Sequence, residues 1–276
     1  MSAFLDEMAA GSRARVHAAM AARGLAELES AARATPAPPP LRLEADGFDL
    51  IAELKLRSPA AGALAAASED VAARVTGYAR AGAAAVSVLT EPSRFDGTLA
   101  HLSAAAAALR PRAVPAMRKD FLVDPYQVFE ARAAGAGGVL VILRMLPKAD
   151  TRALLECARS LGLFVLLEAF DADDVALLHE LVEAHRGPNV LLAGVNCRDL
   201  ATLEVVPSRL IELSPLLPAR VPRVAESGVS SVEDVRAVAA AGYSLALVGS
   251  ALMRGGDGAA LAASLIAAGR AARARG

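Results

Sequence analysis

The feature that most constrains the fold is a regular alternation of short apolar runs and longer amphipathic segments, which begins near residue 48. The apolar runs, several of them rich in β-branched residues, lie at 48–55, 84–89, 113–118, 138–142, 163–168, 191–196, 222–226 and 245–249. A segment with helical spacing of its apolar positions follows each run, at 69–81, 98–110, 125–134, 148–161, 172–185, 206–216, 231–241 and 257–273. Several of these segments end at a glycine that suits a left-handed helix cap, namely Gly82, Gly135 and Gly242. The alternation predicts eight consecutive strand–helix units.

Eight such units are the number that closes a parallel barrel. Strands that are apolar along their whole length need cover on their outer face, and the intervening helices supply it. Barrels of this kind use about 250 residues, and the chain has 276. We therefore predict an α/β fold, a (β/α)8 TIM barrel that forms a single domain over residues 1–276. The structural alternative is a doubly wound open sheet, but no G-x-G-x-x-G follows the first run, which weakens its nucleotide-binding form.

Residues 1–45 precede the first predicted strand. Residues 1–33 have apolar and alanine positions at helical spacing, and the run Ala-Thr-Pro-Ala-Pro-Pro-Pro at 34–40 ends the helix as a stiff linker. We predict an N-terminal helical extension with a Pro-rich linker. The sequence leaves open whether this extension covers the mouth of the barrel as a lid or plugs the opposite end.

Composition excludes several classes of function. A net charge of −1 gives no electrostatic case for nucleic acid or an anionic membrane surface as partner. No uncharged apolar run reaches the roughly 20 residues of a membrane span, and the N-terminus lacks the apolar stretch of a secretory signal. Cys157 and Cys197 have neither disulfide-framework nor metal-ligand spacing, and the histidines form no cluster. We expect a cytoplasmic protein, a monomer, with no metal and a small-molecule substrate.

Lysine is rare in this chain, and its positions are informative. Of 29 basic residues only Lys55, Lys119 and Lys148 are lysine. A lysine retained in so arginine-rich a chain indicates a position where arginine cannot substitute, because the pKa of an amine can be moved for proton transfer whereas a guanidinium stays protonated. Lys55 and Lys119 both fall at the C-terminal ends of predicted strands, where a barrel builds its active site.

Other polar residues share that location. The strand ends also carry Glu53, Thr90, Glu91, Arg118, Asp120, Glu168, Asn196, Arg198, Glu226, Ser227, Gly249 and Ser250. Strand residues two apart share a face, so Glu53 and Lys55 can both point into the barrel mouth. Ionisable groups in apolar strands are costly to bury, which favours a functional role over a merely structural one.

Each candidate also has a structural interpretation. Glu53 and Lys55 would form an ordinary ion pair, Lys119 a solvated strand-end charge and Glu226 a helix cap, while Asn196 would satisfy loop backbone. Arg118 and Asp120 flank Lys119 and are expected to point the other way as scaffold. Cys197 is expected to be a packing residue rather than a nucleophile.

The loops after the seventh and eighth runs predict a phosphate site. They read Glu226-Ser227-Gly228 and Gly249-Ser250-Ala251. Barrels often bind phosphate at these two loops, where glycine lets backbone N–H groups approach the oxygens and a helix N-terminus adds a favourable dipole. Ser58, just past the first run, could donate its hydroxyl from the facing side.

Seven blocks of the sequence, in order and spacing, carry a family resemblance. They are IAELKLRSPAAG (51–62), SVLTEPSRFDGT (87–98), MRKDFLVDPYQVFEARAAGAGGVLVIL (117–143), LLEAF (166–170), GVNCRDLATLEV (194–205), VAESGV (224–229) and LVGSALMR (247–254). From about residue 48 to 255 the chain resembles the indole-3-glycerol-phosphate synthases, and the N-terminal helical extension also fits that family. The resemblance implies closure and decarboxylation of 1-(2-carboxyphenylamino)-1-deoxyribulose 5-phosphate to indole-3-glycerol phosphate in tryptophan biosynthesis, without metal or organic cofactor.

The resemblance also implies residue roles. Lys119 would be the general acid that protonates the substrate carbonyl, and Glu168 the acid/base for the later loss of hydroxyl. Glu53 and Lys55 would form a coupled pair, with Lys55 holding the carboxylate. The remaining implied residues are Asn196, Arg198, Glu226 and Ser227 in the pocket, Ser58, Gly228, Gly249 and Ser250 at the phosphate, and Phe95 and Phe121 as an aromatic wall. A lysine near other cations has a lowered pKa, which would make proton donation easier.

Three departures from the family pattern affect expected affinity and loop closure more than catalysis. Ser-Pro-Ala-Ala-Gly at 58–62 replaces the usual Ser-Pro-Ser-Lys-Gly, Asn-Cys-Arg-Asp at 196–199 replaces Asn-Asn-Arg-Asn, and Arg94 stands where an aromatic residue often precedes Phe95. Two other functions compete. A phosphoribosylanthranilate isomerase would place a cysteine and an aspartate where Lys119 and Glu168 stand, and an inactive paralogue acting as a binding partner would not need the intact ionisable groups.

Overall fold

Eight parallel strands close into a barrel in a computed structural model that describes residues 2–45, 47–65, 69–254 and 256–274. The strands are β1 Asp49–Leu54, β2 Ala85–Leu89, β3 Ala116–Lys119, β4 Gly138–Ile142, β5 Phe164–Ala169, β6 Leu191–Asn196, β7 Arg223–Glu226 and β8 Leu245–Val248. Each strand pairs with the next along the chain, and β8 pairs with β1 to complete the closure. The predicted (β/α)8 barrel is confirmed.

Two helices precede β1 in the described ranges, and at least one helix follows each strand of the barrel. They are α1 Ala3–Ala22, α2 Leu25–Ala34, α3 Val71–Arg80, α4 Pro92–Phe95, α5 Leu99–Leu109, α6 Pro125–Ala133, α7 Lys148–Ser160, α8 Ala172–Ala184, α9 Ser208–Leu213, α10 Val232–Ala240, α11 Ser250–Met253 and α12 Gly258–Arg273. The predicted helix at 206–216 is α9 followed by a 3-10 turn at Ser214–Leu216, because Pro215 has no N–H for a continuing α-helix. The sequence did not predict α4, α11 or the small hairpin of Arg57–Ser58 with Gly62–Ala63.

Local sequence sets the helix ends. Asp124 and Gln127 form a capping box at the start of α6, with Pro125 at the first helical position. The three predicted glycine caps have positive φ angles of 96° at Gly82, 90° at Gly135 and 98° at Gly242, a conformation that costs glycine least. The strands are buried along nearly their whole length, so the core lies inside the barrel and between the barrel and the helices.

The N-terminal extension runs along the outside of the barrel from one end to the other. At the mouth, Arg15 of α1 forms an ion pair of 2.8 Å with Asp120, just past β3. The Tyr126 hydroxyl of α6 donates to the carbonyl oxygens of Ala19 and Arg23. At the opposite end, the Glu44 N–H donates to Asp49 at the start of β1. Helix α1 therefore lies at the mouth as a lid would, while the segment after the linker reaches the other end. No helix in the described ranges is long and apolar enough to cross a membrane.

Candidate active site

A cavity of about 490 Å³ opens at the C-terminal ends of the strands. It lies within the size range of small-molecule sites. All fourteen predicted site residues line it: Glu53, Lys55, Ser58, Phe95, Lys119, Phe121, Glu168, Asn196, Arg198, Glu226, Ser227, Gly228, Gly249 and Ser250. The structure thus brings together residues that span almost 200 positions of sequence, because parallel strands deliver their C-terminal ends to one face.

Lys119 and Glu168 form the central pair of this cavity. They come from the ends of β3 and β5, with Nζ of Lys119 3.2 Å from Oε2 of Glu168. The amide of Asn196, at the end of β6, donates to the other oxygen of Glu168 over 3.3 Å. The Glu168 side chain is almost fully buried, whereas Lys119 keeps 18% of its side chain exposed. The buried Glu168 carboxylate is therefore held by the Lys119 amine and the Asn196 amide, next to the open space of the cavity.

The neighbours of Lys119 are carboxylates, not the cations expected from the sequence. Burial alone lowers the pKa of its amine, but the charges of Glu168, Glu226 and Glu53 outweigh burial, and the pKa is raised overall. The expectation of a lowered pKa was wrong, because barrel closure places acidic residues from β1, β5 and β7 around this lysine. The raised pKa keeps the amine in its protonated form and makes release of that proton less favourable than from an ordinary lysine.

Glu53 and Lys55 form a second pair, with 2.7 Å between Oε1 and Nζ. The Glu53 carboxylate occupies the space beside Gly249, where an added Cβ would collide with its Oε1 atom. Gly194 plays the same part in the middle of β6, since a Cβ there would collide with Oε1 of Glu226. The sequence singled out Gly249 for the phosphate but did not point to Gly194, because a steric requirement across strands leaves no local signal.

Glu226 is a buried carboxyl group without a donor. Neither of its oxygens accepts a hydrogen bond within the ranges that the structure describes. Burial raises its pKa well above the usual value, and the neighbouring charge of Glu168 raises it further. The raised pKa makes this group bind a proton more readily than an ordinary carboxylate, and when protonated Glu226 can donate a hydrogen bond.

Three phenylalanine rings form one side of the cavity. The Phe95 and Phe121 rings lie 6.1 Å apart, and Phe4 of α1 meets Phe121 edge-on at 5.9 Å. The sequence did not predict Phe4 as a cavity residue, because nothing local shows where α1 docks. Arg254, after α11, also lines the cavity and was likewise missed.

The opposite side is formed by the loops after β7 and β8. Ser227 and Gly228 have successive φ angles of 64° and 68°, so both lie in the left-handed region of backbone conformation. Positive φ at a serine is strained, and such strain concentrates at functional positions. Ser58, in the hairpin after β1, lines the same cavity together with Ala60 and Ala61.

The two residues expected as scaffold, Arg118 and Asp120, have buried side chains that pair with each other. Arg118 is buried and donates to Thr90, the Gln127 carbonyl and Asp120, away from the cavity. Asp120 borders the cavity, but its side chain is inaccessible to solvent and accepts hydrogen bonds from Arg118, Arg15 and Thr90, as expected of scaffold. Cys197 is buried beneath Gly228, and burial raises the pKa of its thiol to about 11, as suits a packing residue. Across the described part of the chain, no three His, Cys, Asp or Glu residues are grouped so as to hold a metal ion.

Comparison with known families assigns the chain. The family model described as "Indole-3-glycerol phosphate synthase" matches residues 5–265. The chain belongs to the indole-3-glycerol phosphate synthase family. Relatives named indole-3-glycerol phosphate synthase include that of Mycobacterium avium, 42% identical over 96% of this chain and 94% of its own length. That of Kineococcus radiotolerans is 43% identical over 96% of this chain and 95% of its own.

Solved structures agree on the fold of this family member. A 3-hexulose-6-phosphate synthase from Salmonella typhimurium superposes with a TM-score of 0.59 at 16% identity, over 80% of this chain and 98% of its own. A thiamine phosphate pyrophosphorylase from Pyrococcus furiosus gives 0.58 at 14% identity, over 82% and 96%. At these identities the likeness concerns the barrel alone.

Proposed function

We propose that this chain catalyses the closure, decarboxylation and dehydration of 1-(2-carboxyphenylamino)-1-deoxyribulose 5-phosphate to indole-3-glycerol phosphate. Its family is that of a decarboxylating lyase in tryptophan biosynthesis. The observation that carries the proposal is the Lys119–Glu168 pair, which lies in a cavity with an aromatic wall on one side and two glycine loops on the other. That arrangement suits one aromatic sugar phosphate.

The substrate is bound by its two ends in this proposal. The phosphate lies at Ser227–Gly228 and Gly249–Ser250 with Ser58, and the carboxyphenyl ring lies against Phe95 and Phe121. Arg198 lines the cavity beside the phosphate loops. Binding energy from both ends holds the ring carbon and the ketone within about 3–3.5 Å of each other, the near-attack separation.

Lys119 starts the chemistry. Its ammonium donates a proton to the ketone oxygen while the ring carbon that bears the carboxylate bonds to the carbonyl carbon. The carboxylate then leaves as carbon dioxide, and its bonding electrons restore the aromatic ring. In the last step the new hydroxyl takes up a proton and departs as water, while the neighbouring CH2 carbon loses a proton and the C=C bond of the new ring forms. Glu168 moves the proton, and the Glu53–Lys55 pair assists. Asn196 and Glu226 orient Glu168 through these steps.

We also propose a single-domain monomer that acts in the cytoplasm. Leu5 and Met8 of α1 belong to the same core as the strands, which supports one domain. The same chain supplies the lid helix and the cavity, so the proposed site needs no second copy. Cys157 and Cys197 are both free and buried, as suits a reducing compartment.

Incubation of the purified protein with the carboxyphenylamino substrate tests the function. We expect indole fluorescence to appear together with stoichiometric carbon dioxide, and the chain contains no tryptophan to obscure it. Isomerisation of phosphoribosylanthranilate instead would indicate the rival barrel enzyme. Binding of the substrate without turnover would indicate an inactive paralogue.

The raised pKa of Lys119 gives a pH dependence. The unfolded-state pKa is about 10.4, so stabilisation from this charge is complete below that pH and is lost as the pH rises through the higher folded-state value. We expect kcat/KM to stay level from neutral pH to about pH 10, because Lys119 keeps its proton. The measurement is a pH–rate profile with circular dichroism as a check on folding. An alkaline decline with a midpoint near about pH 8, in folded protein, would contradict the acid role or the raised pKa.

A further inference from the structure

The guanidinium of Arg15 joins the lid helix α1 to two buried carboxylates at neighbouring strand ends. It lies 2.8 Å from Oδ1 of Asp120 and 3.4 Å from Oε1 of Glu91. Both carboxylate side chains are essentially inaccessible to solvent, whereas Arg15 keeps 30% of its side chain exposed. Arg15 itself is not among the residues that line the cavity.

Each of these carboxylates fixes the backbone beside one ring of the aromatic wall. Glu91 caps α4, accepting hydrogen bonds from the N–H groups of Ser93 and Arg94 over 2.9 and 2.7 Å, and α4 ends at Phe95. Asp120 accepts from the N–H of Phe121 over 2.8 Å. Arg15 thus contacts the anchors of both rings at once.

The same helix delivers the third ring. Phe4 lies three turns before Arg15 on α1 and meets the Phe121 ring edge-on. Ser12, between them, accepts a hydrogen bond of 2.8 Å from the side chain of Gln127 on α6. The position of α1 on the barrel therefore determines where the Phe4 ring packs against Phe121.

We propose that Arg15 is a positioning residue for the aromatic end of the substrate, acting through Glu91 and Asp120 on the rings of Phe95 and Phe121. This inference rests on the proposed function for the identity of the aromatic group. Within the described ranges Arg15 is the one cationic side chain paired with Glu91, while Asp120 is also paired with Arg118. Loss of Arg15 leaves Glu91 buried without a counter-charge, which loosens the α4 cap.

The burial and charge around Asp120 agree with this role. Burial raises the pKa of its carboxyl group, but the guanidinium groups of Arg118 and Arg15 and the hydrogen bonds it accepts outweigh burial, and the pKa is lowered overall. The carboxylate is thus held in its charged form, which is the form that accepts the Phe121 N–H.

The test compares Arg15→Met with Arg94→Met. Arg94 also ties α1 to α4, through an ion pair with Glu7, but both side chains of that pair are about half exposed, at 48% and 52%. Two probes are titrated into each protein: 2-aminobenzoate for the aromatic end and inorganic phosphate for the glycine loops. For Arg15→Met we expect 2-aminobenzoate to bind about tenfold more weakly, with phosphate binding unchanged, since one buried carboxylate loses its partner. For Arg94→Met we expect no change with either probe, because the structure places the Arg94 side chain outside the cavity lining and its ion pair is open to solvent.

Steady-state kinetics and a conservative variant complete the test. With the full substrate we expect Arg15→Met to raise KM about tenfold and to change kcat by less than about threefold. Arg15→Lys restores the charge but not the fork that spans two carboxylates, so we expect it to recover binding in part. A Phe4→Trp background gives a single tryptophan reporter, and its emission should shift to the red on adding Arg15→Met but not on adding Arg94→Met.

Three results would overturn the proposal: wild-type binding of 2-aminobenzoate by Arg15→Met, equal weakening of both probes, or an equal effect of Arg94→Met. Phosphate binding in the same sample shows that the variant is folded, and its loss counts as equal weakening. Turnover by the wild-type protein tests the proposed function separately. A wild type that turns over substrate beside an Arg15→Met variant with unchanged binding would leave the function standing and the positioning role wrong.

Discussion

Replacement of Lys119 by methionine is expected to lower kcat by about a thousandfold, the middle of the range for loss of a general acid. Methionine keeps much of the side-chain volume but has no proton to donate. We expect the melting temperature to change little, because Glu168 remains hydrogen-bonded to the Asn196 amide after the lysine is replaced. The measurements are steady-state turnover and thermal unfolding of the same preparation.

Lys148→Met is the matched control. Lys148 is another of the three lysines and pairs with Glu180 on the surface, where the two side chains are 41% and 56% exposed. We expect wild-type turnover from it. Lys119→Arg should be nearly as impaired as Lys119→Met, because a planar guanidinium neither fits the site nor releases its proton readily. If Lys119→Met kept turnover within a few fold of wild type, the acid assignment would be wrong.

Gly249→Ala is expected to lower kcat/KM by about a hundredfold, the cost of a misplacement of about 1 Å in a catalytic group. The backbone at Gly249 has φ −122°, outside the left-handed region that favours glycine, so the effect expected here is the steric one. The added Cβ would collide with the Glu53 carboxylate, which must shift and draw Lys55 with it. Overpacking of this buried position also costs about 1–3 kcal/mol of stability.

Gly77→Ala provides the control for this prediction. Gly77 lies inside α3, and a Cβ there would make an ordinary contact 3.5 Å from the Ala259 Cβ. We expect unchanged kcat/KM and a stability gain of up to about 1 kcal/mol from helix propensity. The comparison is made by steady-state kinetics and urea unfolding. Wild-type kcat/KM in Gly249→Ala would show that the observed place of the Glu53 carboxylate is not required.

Periodicity accounts for most of what could be predicted about the fold. All eight strands lie within three residues of their predicted bounds, because each is an apolar run between turn signals. The one-turn helices α4 and α11 escaped prediction, since a single turn has no period to detect. The break after α9 depends on one proline inside an otherwise helical pattern.

Some residues of the candidate site could likewise be predicted from local sequence and others could not. Residues at strand ends, such as Lys119 and Glu168, could be predicted together because the barrel gathers those ends whatever its details. Phe4, Gly194 and the partners of Arg15 could not, because they depend on contacts between different segments, some of them more than 100 residues apart. The predicted direction of the Lys119 pKa shift was wrong for the same reason, because the three carboxylates that raise the pKa come from other strands.

The N-terminal end of the described chain lies at the cavity and the C-terminal helix ends on the far side of the barrel, so the two ends differ as sites for attaching a tag or a partner protein. Phe4 borders the cavity, so a protein fused before it would lie at the substrate entrance and disturb the packing of α1. Helix α12 instead ends near Arg270, whose side chain donates to the Phe48 carbonyl at the start of β1, on the far side of the barrel. Immobilisation or labelling through the carboxyl end therefore leaves the entrance clear.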